Sequence, residues 1–150
     1  MRASTVKVYF RLKQDESGYP PVTSEFLWCL PTQNATFIVD NIPFYARDIS
    51  LGDEISVEES EGELFFAHLI RPSKNSTLRV LLKRPAMTKE IREKLDGLGC
   101  GCELMDGMNL LAVTLPQESN IAEALAFLDN ETEKGNIGIE ESAVRYKTLK

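Results

Sequence analysis

The second half of the chain, from Ser76 to Tyr146, carries the pattern that most constrains the fold. Segments with the apolar spacing of strand, helix, strand, strand, helix and strand follow one another there. The predicted elements are Thr77 to Lys83, Thr88 to Leu98, Cys102 to Met105, Leu110 to Leu115, Ile121 to about Gly135, and Ile137 to Tyr146. This order is that of a split β-α-β unit, so the sequence predicts a ferredoxin-like α+β subdomain over residues 74–150.

Local signals support these boundaries. Thr88 is a candidate N-cap of the first helix, and Asn120 with Glu123 three residues later resembles a capping box for the second. The dipeptide Asp106-Gly107 between the two middle strands predicts a tight hairpin turn.

The first half of the chain has strand signals only. Apolar residues from Val6 to Leu12 alternate with Lys7, Tyr9 and Arg11, which is typical of a strand with one face in water. Further predicted strands are Ser24 to Leu30, with Phe26, Trp28 and Leu30 on one face, Thr36 to Val39, Glu54 to Glu58 and Glu63 to Ile70. The last two are predicted to form a hairpin around Glu61-Gly62. Because closure protects the edges of short strands, we expect residues 1–73 to form a small barrel-like subdomain. The two subdomains are expected to fold as one cooperative unit.

Composition limits the function classes. The 150 residues carry a formal net charge of -6, which disfavours a general nucleic-acid binder and favours a basic partner. Three cysteines, Cys29, Cys100 and Cys102, do not have the spacing of a zinc site or a disulfide framework, so no metal or cofactor is predicted. No apolar run reaches the roughly 18 residues of a membrane span, and no signal-peptide segment precedes the first strand. We therefore expect a cytoplasmic protein.

No catalytic motif accompanies the predicted fold. His68 is the only histidine, and no second histidine or orienting carboxylate lies close to it in the sequence. The glycines between Gly97 and Gly101 follow a helix, whereas a phosphate-binding loop must precede one. The sequence favours a protein without enzymatic activity, and an enzyme with His68 as general base is the alternative.

The distribution of charge predicts the binding residues. Residues 40–63 hold eight acids and one base, residues 71–94 hold eight bases and two acids, and residues 103–141 hold nine acids and one base. An acidic surface would steer a basic partner, unless folding interleaves the segments. The predicted partner-binding residues are Glu58, Glu59, Glu61, Phe65 and Tyr45, and in second place Asp106, Glu140 and Glu141.

The alternative is an RNA- or small-ligand-binding groove in the basic junction Arg71 to Arg84. Its predicted residues are His68, Arg71, Lys74, Ser76 and Arg79. The strands at 77–83 and 110–115 contain no aromatic residue, so the second subdomain lacks a base-stacking platform.

Five short motifs carry a resemblance to known sequences. They are V-K-V-Y-F from Val6, D-E-S-G-Y-P-P from Asp15, N-I-P-F-Y-A from Asn41, G-D at Gly52 and S-T-L-R from Ser76. In these motifs the chain resembles a bacterial family of small proteins catalogued only as a domain of unknown function. The resemblance implies a bacterial, cytoplasmic origin and no activity.

Small bacterial proteins that have an acid-rich surface and no catalytic residues are often immunity proteins that block a toxin. By this analogy the chain is expected to be a non-enzymatic protein-binding module. Its most concrete form is an immunity protein that neutralises a basic, nuclease-type toxin through an acidic surface.

Overall fold

The computed structural model describes residues 4–105 and 107–146 of the chain. It is a mixed α+β structure in which strands predominate, and it divides into two compact units, Met1–Ser73 and Lys74–Lys150. No helix in the part of the chain that is described is long and apolar enough to cross a membrane.

The first unit is a closed five-stranded barrel with strands in the order β1-β2-β3-β4-β5. The strands are β1 (Val6–Arg11), β2 (Ser24–Pro31), β3 (Phe37–Val39), β4 (Glu54–Ser60) and β5 (Glu63–Arg71). Consecutive strands pair antiparallel, and β1 pairs parallel with β5 to close the barrel. The expected barrel-like arrangement of the first half is therefore present.

Alternation along the strands builds the barrel core. Val8 and Phe10 of β1 and Leu27 and Cys29 of β2 point inward and are buried. The Phe10 ring stacks on Phe66 of β5 with 4.8 Å between the ring centroids. Each strand therefore keeps one face for the core and turns the other outward.

The turn between β4 and β5 lies where the sequence predicted it. Glu61 (φ 52°) and Gly62 (φ 81°) both have positive φ angles, as a two-residue hairpin turn with the right-handed twist of the strands requires. Along the same hairpin, Ser56 pairs with His68 and Val57 pairs with Phe66, so Ala67 is an extra residue in a β-bulge.

The second unit is a four-stranded sheet with two helices. Its elements are β6 (Ser76–Leu82), a 3₁₀ turn (Pro85–Met87), α1 (Thr88–Gly97), β7 (Gly101–Met105), β8 (Leu110–Leu115), α2 (Ile121–Glu133) and β9 (Ile137–Ala143). The strand order is β7-β8-β6-β9, and every neighbouring pair is antiparallel. Leu78, Val80 and Leu82 of β6 join Ile91 of α1 and Leu128 of α2 in the core.

The predicted helix caps are wrong in detail. Met87 is the N-cap of α1, and the Thr88 hydroxyl instead donates to the Pro85 carbonyl oxygen at 2.7 Å. The reason is that the 3₁₀ turn runs directly into the helix, so Thr88 is already helical. Asn120 is the N-cap of α2, but its side chain makes no capping hydrogen bond. The last strand ends at Ala143 instead of Tyr146.

Candidate binding surface on the barrel

Four aromatic side chains form a strip on the outer surface of the barrel. The strip, which we name the aromatic track, consists of Trp28, Phe26, Tyr9 and Phe65. Phe26 and Trp28 are 42% and 41% exposed, although both are large apolar residues. They point outward because Leu27 and Cys29, which alternate with them along β2, fill the barrel core.

Strand register brings the four rings together. Tyr9 lies opposite Phe26 on β2 and opposite Phe65 on β5. The ring centroids are 5.6 Å apart between Trp28 and Phe26, 6.2 Å between Phe26 and Tyr9, and 5.7 Å between Tyr9 and Phe65. Each distance is within the range of favourable aromatic pairs, so the track is continuous across three strands.

Two cations of β1 lie on the rings of the track. Lys7 Nζ is 4.6 Å from the centroid of Phe26 and 5.5 Å from that of Trp28, and Arg11 Cζ is 4.0 Å from that of Phe65. These are cation–π distances, each worth about 0.5–1 kcal/mol at an exposed site. Neither cation forms an ion pair within residues 4–105 and 107–146. The track therefore combines π faces with positive charge that no carboxylate of the described residues neutralises by direct contact.

Backbone hydrogen bonds fix the end of the track at Trp28. Its N–H donates to the Asn41 side-chain oxygen at 2.6 Å, and its carbonyl oxygen accepts from the Asp40 N–H at 2.8 Å. The first residue of the N-I-P-F-Y-A motif thus supports the strand that carries the indole ring.

Glu25 of β2 anchors the rest of that motif. Its carboxylate accepts the N–H groups of Phe44 at 2.6 Å, Tyr45 at 3.0 Å and Ala46 at 2.9 Å. Tyr45 itself is buried, with its ring 6.2 Å from that of Tyr19. The prediction that Tyr45 is an exposed anchor for a partner is therefore wrong, because this loop folds onto the barrel and encloses the side chain.

A shallow recess of about 480 Å³ adjoins the track. Lys7, Tyr9, Trp28, Glu63 and Leu64 contribute to its lining. The recess therefore offers an indole, a phenol, a cation and a carboxylate within one concave region.

Four carboxylates surround the tip of the β4–β5 hairpin. This acidic hairpin consists of Glu58, Glu59, Glu61 and Glu63, all of which are exposed. None of them forms an ion pair among the described residues. Glu58 lies directly opposite Phe65 in the strand register, so the acidic hairpin adjoins one end of the aromatic track. Three of the four carboxylates were predicted as partner-binding residues, and Phe65 with them.

The structure describes two of the three residues of the second predicted acidic set. Asp106 lies outside the described residues. Glu140 is half-buried and accepts from Arg79 Nη1 at 3.2 Å. Glu141 is exposed and accepts from the Tyr146 hydroxyl at 3.0 Å; burial first, and then this bond, raises the pKa of Tyr146 to about 12.

The five residues proposed for a basic groove differ in exposure. Arg71 and Lys74 are exposed, and so is His68 on the outer end of β5. Arg79 and Ser76 are buried, because β6 is a central strand between β8 and β9. The Ser76 hydroxyl oxygen accepts from the Arg145 N–H at 2.7 Å. Two of the five predicted groove residues are therefore not available at the surface.

The described residues offer little for catalysis. No group of three or more His, Cys, Asp or Glu residues that could hold a metal occurs among them. Burial raises the pKa of the Cys29 and Cys102 thiols to about 12, so both are protonated and poor nucleophiles at neutral pH.

Sequence reasoning missed Lys7, Tyr9, Arg11, Phe26 and Trp28 as functional candidates. The available signal was the pair of aromatic residues Phe26 and Trp28, which share one face of β2. Both faces of β2 carry apolar residues, so the sequence does not show which face lies against the core. The strand register of the barrel resolves this.

Comparisons with known proteins give the family and the fold. A family model described as "Domain of unknown function (DUF4265)" matches residues 25–139. No curated protein matches the chain. A crystal structure of a hypothetical protein from Neisseria gonorrhoeae superposes with a TM-score of 0.77 at 21% identity, over 92% of this chain and 95% of that one. That likeness shows a shared fold. The family match spans most of the chain, which therefore belongs to the family of the domain of unknown function DUF4265.

Proposed function

We propose that this protein is a non-enzymatic protein-binding module whose partner is a basic protein. Its most specific form is an immunity protein that neutralises a nuclease-type toxin in the cytoplasm. We also infer that the second unit is ferredoxin-like, since its strand–helix–strand–strand–helix–strand order combines with the sheet order β7-β8-β6-β9.

One observation carries the protein-binding proposal. The acidic hairpin presents four exposed carboxylates in and beside one turn, without a neutralising ion pair among the described residues. Such a group creates a local negative potential that raises the association rate of a positively charged protein. A nuclease active site, which has to attract phosphates, is a partner of that kind.

Phe65 adds a short-range contact to this long-range attraction. It is half-buried and pairs across the strands with Glu58. Interfaces typically derive most of their binding energy from a few aromatic and arginine anchors, while the charged rim mainly sets the association rate. In this arrangement the carboxylates would orient the partner and the Phe65 ring would be covered by it.

A charge-reversal experiment tests the proposal. The triple variant Glu58→Lys, Glu59→Lys, Glu61→Lys is compared with Glu93→Lys, Glu118→Lys, Glu133→Lys, which changes the net charge equally on exposed residues of the second unit. Both tagged proteins and the wild type are used as bait in lysate of the native cells at low and moderate salt.

We expect the wild type and the control to retain the same basic protein in stoichiometric amount, and the hairpin variant to lose it. The purified partner should then bind the wild type at least tenfold more tightly than the hairpin variant, mainly through a faster association rate. Equal recovery by both variants would contradict an interface at the acidic hairpin.

A further inference from the structure

We propose that the aromatic track, together with Lys7 and Arg11, binds an unpaired nucleic-acid strand. This goes beyond the protein partner proposed above: the two proposals share Phe65, and the remaining side chains of the track are not used by the protein-binding proposal. The occupant is defined by its chemistry: flat bases that stack on rings, joined by phosphates that meet cations.

The spacing of the four rings of the aromatic track supports the binding of bases. Four rings follow one another at centroid separations of 5.6, 6.2 and 5.7 Å, and two of them are more than 40% exposed. Tyr9 and Phe65 are half-buried. Every base has a π face, so a row of solvent-accessible rings can stack on bases of any sequence. A single aromatic residue on a surface would not indicate a base-stacking site, whereas a continuous row of rings does.

The two cations beside the rings support the binding of phosphates. Lys7 and Arg11 lie on β1, in the middle of the three strands, with their charged groups 4.0–5.5 Å from the ring centroids. Bases that stack on the rings would bring their phosphates within reach of both side chains. Sites for single strands combine aromatic rings that stack on bases with cations that follow the backbone, and the track has both kinds of group side by side.

The same geometry excludes a duplex as the preferred ligand. Bases inside a duplex are stacked on each other, so their faces are not free to stack on the rings of the track. The acidic hairpin adjoins the track at Phe65 and repels phosphates, so the strand is expected to occupy mainly the part formed by Trp28, Phe26 and Tyr9.

Binding can be measured with the chain's own fluorophore. Trp28 is the only tryptophan of the protein and lies at one end of the track. The probe is oligodeoxythymidylate of about a dozen nucleotides, the size range of single-strand sites, and the comparison ligand is a duplex of the same length. We expect the strand to quench the Trp28 fluorescence and the duplex to leave it unchanged. With two cations involved, the logarithm of the binding constant should fall with a slope of roughly 1.4 against the logarithm of salt concentration.

Substitutions on and off the track localise the site. Phe26→Ala should weaken binding of the labelled strand, measured by anisotropy, by about 5- to 150-fold, and Phe26→Leu should weaken it although apolar area is retained. Lys7→Ala should halve the salt slope. Val22→Ala, which truncates an exposed apolar residue outside the track, and Lys89→Ala, which removes an exposed cation of α1, should leave binding unchanged.

The acidic hairpin variant separates this inference from the proposed function. Glu58→Lys, Glu59→Lys, Glu61→Lys should bind the strand as tightly as the wild type or more tightly, while it loses the basic protein partner. Three results would overturn the inference: no quenching by the strand, equal affinity for strand and duplex, or unchanged affinity of Phe26→Ala. Loss of a protein partner on Phe26→Ala without any strand binding would assign the track to a protein interface instead.

Discussion

The side chains of β2 and β6 both alternate between two faces of the strand, but the two strands differ in which kinds of residue they bury. In β2 the outward phase carries Phe26 and Trp28, two of the largest apolar side chains of the barrel, while Leu27 and Cys29 fill the core. In β6 the one charged side chain, Arg79, is fully buried, and Leu81 on the same face of the strand is 44% exposed. The comparison teaches that residue type alone does not decide which side chain is buried.

The difference follows from the neighbours of each strand. The outward phase of β2 continues onto β1 and β5 as one exposed surface, so its rings interact with each other and with the cations of β1. β6 lies between β8 and β9, and its inward phase packs under both helices. Arg79 is tolerated on the other phase because Glu140 of β9, its partner in the strand register, supplies a carboxylate at 3.2 Å.

The largest expected effect concerns the reactivity of Cys29, which tests the inward phase of β2. Burial, with a smaller contribution from Asp40, raises the pKa of this thiol from 9.0 to about 12. At pH 8 its alkylation by iodoacetamide should be about a thousandfold slower in the native protein than in the urea-unfolded chain, since the thiolate reacts. Peptide mapping by mass spectrometry measures the rate at this site.

The same shift gives a pH dependence of stability. The folded state holds the Cys29 proton more tightly than the unfolded state, so its contribution to stability is complete below pH 9.0 and is lost as the pH rises towards 12. Similar alkylation rates in the native and unfolded protein would show that Cys29 faces outward and would reverse the assignment of the two phases.

The next largest effect is expected for Arg79→Met in β6. The substitution removes a buried guanidinium and its ion pair with Glu140, and the free energy of unfolding should fall by about 3 kcal/mol. This is the low end for such pairs because Glu140 is 27% exposed. Urea denaturation monitored by circular dichroism measures it. Arg84→Met, which truncates an exposed arginine of the same unit, should change stability by less than about 0.5 kcal/mol.

A second substitution, in the neighbouring strand β9, sharpens this test. Glu140→Gln in the Arg79→Met background removes the negative charge that Arg79 balances in the wild type, so it should recover part of the lost stability. Equal destabilisation by Arg79→Met and Arg84→Met would mean that the arginine of β6 is solvated, and the contrast between the strands would fail.

The smallest expected effect is the difference in unfolding free energy between two variants at adjacent positions of β2. Leu27→Ala removes a buried side chain and should cost about 3 kcal/mol of unfolding free energy, whereas Trp28→Ala removes an exposed ring and its contacts with Phe26 and Lys7 and should cost about 1 kcal/mol. Thermal and urea unfolding of the two variants measure the difference. A larger cost for Trp28→Ala would place the indole ring in the core.

Much of the fold was predictable because its signals are local. Alternating residues from Val6 to Arg11, the Glu61-Gly62 turn and the helical spacing of Ile91 and Leu95 each depend on a few neighbouring residues. The caps were predicted less well, since Thr88 and Asn120 have suitable side chains but the preceding backbone determines whether they bond.

The candidate site was only partly predictable. The exposure of Glu58, Glu59 and Glu61 could be expected from sequence because they lie in or beside a turn. Tyr45, Ser76 and Arg79 are buried, which no local sequence signal indicates. Phe26 and Trp28 were missed as site residues because an apolar strand gives no sign of which phase lies outside.

The sequence by itself therefore determined the order of the elements, the position of the β4–β5 turn and the charge of its carboxylates, since these depend on residues close together in the chain. Only the tertiary structure decided that three strands would align Trp28, Phe26, Tyr9 and Phe65 into one track with two cations on it, and that Arg79 would be buried against Glu140. These results depend on strand register between segments far apart in sequence, because a shift of one residue exchanges the inner and outer faces of a strand.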